Sequence, residues 1–204
     1  MSMPVLTYGC TACDVKGWDA LTWGFSYYQV DQDRVRVAVG MGWCHVCNNF
    51  APIEIRPDVS AEKQLIAELD ALQARIREMQ KQLPKPRFWF FKSPKPTELL
   101  HAEFDLERQQ ERLQRLRLLL PLMADRRSGD RCLMCSSEDC FRIPQNVVHA
   151  SFDDCSNQPA QLDYTHPGCG GNFTVVSDGL RLNIAGRSRA YDLDGKPLGD
   201  WKPL

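Results

Sequence analysis

The sequence predicts an α+β fold: two small antiparallel-β units separated by an antiparallel α-helical, coiled-coil hairpin. Three observations predict it. Aromatic and β-branched residues concentrate at the two ends of the chain. A heptad pattern of apolar residues runs through its middle. Each β-rich end also carries two short-spaced pairs of thiol or imidazole side chains. Composition shifts then give three segments, residues 1–57, 58–131 and 132–204, with formal charges of -1 (four basic, five acidic), +3 (fifteen minus twelve) and -3 (six basic, nine acidic).

In the first segment, Cys10-Thr-Ala-Cys13 is followed by Trp23–Val30 and Val35–Val39, both of strand-forming composition. Asp31–Arg34 between them suits a hairpin turn. Cys44-His-Val-Cys47 comes next, and Phe50–Ile55 reads as a further short strand. Two CxxC pairs supply the four thiols of a tetrahedral metal site, so Cys10, Cys13, Cys44 and Cys47 are expected to share one ion.

In the middle segment, Leu65, Leu69, Leu72, Ile76, Met79 and Leu83 step by 4, 3, 4, 3 and 4. Ser60 is the expected N-cap, with Glu62 in the first turn, and Pro84 and Pro86 stop the helix. A second helix starts near Thr97. In it, Leu99, Leu106, Leu113 and Leu120 recur every seven residues, with Ala102, Leu116 and Met123 as companions and Gln109 interrupting. Two similar helices joined by a loop predict an antiparallel hairpin arm, although the same stripes would also serve a second copy of the chain.

The last segment opens on Cys132-Leu-Met-Cys135, and His166-Pro-Gly-Cys169 follows after thirty residues. The same gap separates Cys13 from Cys44, which suggests one small unit used twice. Cys132, Cys135, His166 and Cys169 are therefore expected to hold a second ion, with Cys140 and Cys155 as competing thiols. Asn172–Val176, Leu180–Ile184 and Arg189–Leu193 read as strands, and Asp194-Gly195 as a turn.

Both end segments resemble zinc ribbons, in which two knuckles from hairpin loops bind one zinc ion. The first also resembles rubredoxin in spacing and in Trp43 before its second pair, but it has Asp14 and Asn48 where rubredoxins have glycine. Asp and Asn accept the left-handed conformation that such a turn needs. The resemblance implies two structural Zn2+ ions, with iron as the alternative at the first site. Closed four-ligand sites leave no open position for a substrate, so the sites read as structural rather than catalytic. No Gly-rich phosphate loop, nucleophile elbow or HExxH motif is present. His45, His101 and His149 read as solvated or structural residues, and Asp153-Asp154 as a solvated acidic loop.

A net charge of -1 over 204 residues does not suit a protein that coats nucleic acid, and no apolar run reaches the length of a membrane span. Nine cysteines without a signal-peptide pattern predict a reducing cytoplasm. Two surfaces point to partners. Phe88, Trp89, Phe90 and Phe91, flanked by Lys85, Arg87, Lys92 and Lys95, stand at the expected arm tip. Arg108, Arg112 and Arg115 share one helical face, interleaved with Glu103, Glu107 and Glu111. The expected function is a non-enzymatic, zinc-dependent protein-interaction or adaptor protein. The alternatives are a nucleic-acid-binding zinc ribbon and rubredoxin-like electron transfer. Contact between copies through the helices is a further expectation.

Overall fold

The computed structural model describes residues 2–83, 95–124, 126, 129–146, 148, 158–183 and 188–199. The chain divides into two compact units, one made of residues 1–56 and 126–204, the other of residues 57–125.

The first unit contains two sheets. Strand β1 spans Ser2–Cys10 and β2 spans Gly17–Trp18. From the other end of the chain come β7 (Ala160–Thr165) and β8 (Asn172–Asn183). These four pair antiparallel in the order β2-β1-β8-β7. A short 3-10 turn, Asp19–Thr22, leads to β3 (Phe25–Val30), β4 (Asp33–Cys44) and β5 (Asn49–Ile55). The second sheet adds β6 (Cys140–Arg142), β9 (Ser188–Tyr191) and β10 (Pro197–Leu198). Its order is β10-β9-β3-β4-β5, with β6 alongside β4 and β3 parallel to β9.

The burial along β4 shows how it serves the sheet. Its first half alternates, with Val35 and Val37 inside and Arg34 and Arg36 outside, while Met41–Cys44 is buried throughout. The first half pairs with β3, and the second half is enclosed by β5 and β6. Tyr8, Phe173 and Val175 of one sheet pack with Met41, Trp43 and Phe50 of the other in one core. Trp43 meets Phe50 edge-on at 5.3 Å, and Phe50 meets Phe173 at 4.8 Å.

A buried ion pair joins β5 to the second stretch of this unit. Glu54 in β5 is fully buried, and both of its oxygens accept hydrogen bonds from Arg126, each at 2.9 Å. Arg56 donates to the Arg126 carbonyl at 2.8 Å and, through its amide, to Asp130 at 3.1 Å. The chain on either side of the helices is thereby stitched together.

The second unit is the helix pair α1 (Ser60–Lys81) and α2 (Thr97–Met123). The start of α1 packs on the end of α2 through Leu65, Leu69 and Leu116. Its end packs on the start of α2 through Ile76, Leu99 and Ala102. Asp58, rather than Ser60, caps α1: its carboxylate accepts the Ser60 amide at 2.9 Å and the Ser60 hydroxyl at 2.6 Å. Thr97 makes no cap bond either, since α2 begins after Pro96.

The expected fold of two small ribbons separated by a coiled-coil hairpin is corrected. There are no two ribbons for an arm to separate, because each sheet takes strands from both ends of the chain. The helices are two packed helices rather than a coiled coil. Gln109 interrupts the leucine repeat of α2, Leu106 and Leu113 are only half-buried, and Leu119, outside the heptad register, is buried. β1 and β7 are strands beyond those expected, and the two expected strands from Asn172 onward are one strand, β8.

Candidate metal centres

Four knuckles of the first unit carry eight donor side chains, and the fold joins them crosswise. Cys10, Cys13, His166 and Cys169 form one cluster, and Cys44, Cys47, Cys132 and Cys135 form the other. Within each, the donor atoms lie within 4.8 Å of one another. The spacing groups Cys10 and Cys13 with Cys44 and Cys47, and Cys132 and Cys135 with His166 and Cys169. The structure replaces that grouping with a nested one.

Strand pairing is the reason. Cys10 ends β1 and lies opposite Phe173 of β8. The His166–Cys169 knuckle joins β7 to β8, so it arrives beside Cys10 with that strand. Cys44 and Cys47 lie in the β4–β5 turn, where Cys44 is opposite Asn49. Cys132 bridges Ile53 of β5, and the Leu133 amide donates to the Pro52 carbonyl at 2.9 Å. Each cluster thus pairs a knuckle from before the helices with one from after them.

The turns themselves are of knuckle type. The residue after the second donor is left-handed at Asn48 (φ 48), Ser136 (φ 66) and Gly170 (φ 73), though not at Asp14. Amides point at the donor sulfurs, as from Ala12 to Cys10 at 3.5 Å and from Cys47 to Cys44 at 3.4 Å. Gly171 is a point of close approach. A Cβ there would stand 2.6 Å from Ala12 Cβ and 2.8 Å from Cys10 Sγ, so only glycine lets the two knuckles of the first cluster meet.

The donors fit a tetrahedral metal. Zinc–sulfur bonds of about 2.3 Å imply a tetrahedron edge near ~3.8 Å. Cys10 and Cys169 sulfurs are 3.4 Å apart, Cys44 and Cys135 3.5 Å, and Cys47 and Cys132 3.8 Å. All exceed a disulfide bond by more than an ångström. His166 Nδ1 is 3.3 Å from Cys13 Sγ and 3.1 Å from Cys169 Sγ. The imidazole is buried, and its Nε2 has no hydrogen-bond partner among the described residues. Trp43 and Phe173, at centroid distances of 4.4 and 5.5 Å, hold the ring so that Nδ1 is the donor atom.

The electrostatics of the thiols point the same way. Burial pushes Cys47 up to about 12 and raises Cys132 further. Burial also acts upward on Cys10, but the Ala12 amide and hydrogen bonds from Cys169, His166 and Cys13 outweigh it and bring that thiol to about 6. Thiols this close cannot all ionise beside one another without a cation, and a dication resolves the conflict.

Cys140 belongs to neither cluster. Its sulfur lies 3.5 Å from the Asp130 carbonyl and 3.6 Å from that of Ser137, and burial pushes its thiol up to about 12. His45 Nε2 lies 3.9 Å from Asp139. Cys155, His149, Asp153 and Asp154 fall outside the described residues, as do Phe88, Trp89, Phe90 and Phe91. On α2, Arg108 pairs with Asp105 at 3.1 Å, Arg112 is exposed and Arg115 is half-buried. Sequence reasoning missed the contributions of Gly171 and Ser136. A left-handed serine carries no local signal, and the role of Gly171 depends on a knuckle 159 positions away.

No protein-family description, curated protein or solved structure matches the chain. The two clusters are loosely consistent with zinc-ribbon-like metal sites. Among the described residues no helix is long and apolar enough to cross a membrane.

Proposed function

We propose that this protein is a zinc-dependent scaffold, with two structural Zn2+ ions, that binds a protein partner. The crosswise pairing of the knuckles carries this reading. Each ion would join the chain before the helices to the chain after them, so metal binding would complete the fold instead of decorating it. Three or four thiolates per site favour zinc over hard cations, and four protein donors fill a tetrahedron without leaving a place for substrate.

The partner reading is supported by α2. Leu100, Phe104 and Leu118 are exposed, and Leu100 and Leu118 fall five turns apart on one side of the helix. The test uses the full chain as bait in affinity capture, alongside metal analysis. The expected result is two zinc ions per chain and a defined partner, with capture lost in Phe104→Glu while the zinc content stays at two. Capture unaffected by Phe104→Glu would overturn the assignment to this face, and iron in place of zinc would overturn the metal.

A further inference from the structure

The first unit holds a cavity of about 480 Å³, within the range of roughly 300–1,000 Å³ usual for small-molecule sites. It lies between β1, the 3-10 turn after β2, β4 and the chain after β6. Leu6, Met41 and Ile143 supply apolar wall, and Asp19, Tyr8 and Trp23 supply polar atoms. No Lys, Arg or His lines it among the described residues. The cavity is separate from both metal clusters.

Asp19 gives the cavity its chemistry. Its carboxylate accepts the Leu6 amide at 2.9 Å, and the Ala20 amide and the Trp23 side chain lie near enough to favour its charged form. An ionised carboxylate has about four acceptor positions, so the Leu6 amide leaves room for a guest donor. Burial pushes Asp19 up to about 6, which means the fold leaves its charge short of solvation. A bound cation would supply what solvent does not. An anion would meet the carboxylate with no opposing charge among the described lining residues, and a purely apolar guest would leave the free acceptor positions unused.

We propose that this cavity binds a small organic cation, an ammonium group on an apolar body, with Asp19 as its counter-ion and the indole of Trp23 beside it. The site is independent of the metal reading.

The experiment titrates zinc-loaded full-length protein at pH 7.5 with n-hexylammonium, 1-hexanol and hexanoate, read by calorimetry and by amide and indole NMR shifts. The expected result is saturable binding of n-hexylammonium at least about tenfold tighter than either matched probe, the scale of one charge-assisted hydrogen bond. Shifts should centre on the Leu6 amide and the Trp23 indole. Asp19→Asn, which keeps an acceptor for Leu6, should bring the three probes to near parity without loss of zinc. Val39→Phe, which fills the cavity from β4, should abolish binding. Absence of saturable n-hexylammonium binding, equal binding of hexanoate, or a preference that survives Asp19→Asn would each overturn the proposal. Binding that persists in Val39→Phe would overturn its location.

Discussion

Cys10 and Cys169 lie 159 positions apart in the chain, and their sulfur atoms are 3.4 Å apart. The pairing of β1 with β8 brings them together in one cluster. It predicts a pattern of metal loss. Cys10→Ser and Cys169→Ser should each remove one zinc, and the double variant should remove no more than either alone. Cys10→Ser combined with Cys44→Ser should remove both, because those residues belong to different clusters. Zinc stoichiometry by elemental analysis decides the matter. If the Cys10/Cys44 double variant kept one ion, the crosswise grouping would be wrong.

Gly170 and Gly171 are neighbours with different duties. Gly171→Ala would press a methyl group into Ala12 and Cys10. It should weaken zinc at that cluster by about 10–100-fold, the usual scale for disturbing a ligand's support. Gly170→Ala meets nothing within 4 Å but must hold φ 73. It should cost about 1–2 kcal/mol of stability with zinc affinity nearly intact. Competition with a chromogenic chelator separates the two outcomes.

The Glu54–Arg126 pair should behave as a buried ion pair. Arg126 has 9% of its side-chain surface exposed and Glu54 none. Arg126→Met alone would leave a buried carboxylate and should destabilise the protein by about 3–5 kcal/mol in urea unfolding. Glu54→Leu with Arg126→Met should recover most of that loss, because a well-packed apolar pair needs no solvation. A double variant no better than the single one would show that the pair is not a self-contained unit.

Asp19 gives a pH dependence with a definite sign. Burial holds its folded value at about 6, above the usual carboxylate range. Between roughly pH 4 and 6 the folded state therefore binds the extra proton, and this group's contribution to stability falls as pH rises. Asp19→Asn should gain stability relative to the parent on going from pH 5 to pH 7.5. Comparing parent and variant at each pH removes the common effect of thiol protonation. A difference between the two that is flat across this range would contradict the assignment.

Excising residues 57–125 and joining the ends with a short linker should leave both ions bound. Arg56, Arg126 and Asp130 already hold the two ends of the first unit together. Two zinc ions per truncated chain, with unchanged chelator resistance, are expected. Loss of either ion would make the helices part of the metal-binding fold.

Much of this is legible in the chain itself. A knuckle is a local object: two donors three residues apart and a turn residue beside them. The eight side chains that the structure gathers into clusters can therefore be picked out by eye. The helices are legible too, because leucine spacing reports burial along one stretch of backbone. Strands such as β4 announce themselves by their β-branched runs, as in Val35, Val37 and Val39, whereas β1, with no such run, does not.

Which knuckle shares an ion with which was decided by tertiary structure alone. The equal gaps of thirty residues suggested two self-contained sites. A gap measures distance along the chain, and a metal site requires proximity in space. β1 pairs with β8, and the turn after β5 leads through the helices back to Cys132, so the first knuckle meets the fourth and the second meets the third. The same long-range pairing places Asp19 beside a cavity walled by strands from both sheets. Local sequence supplied the donors, and strand pairing between distant segments chose their company, because backbone hydrogen bonds carry no record of sequence separation.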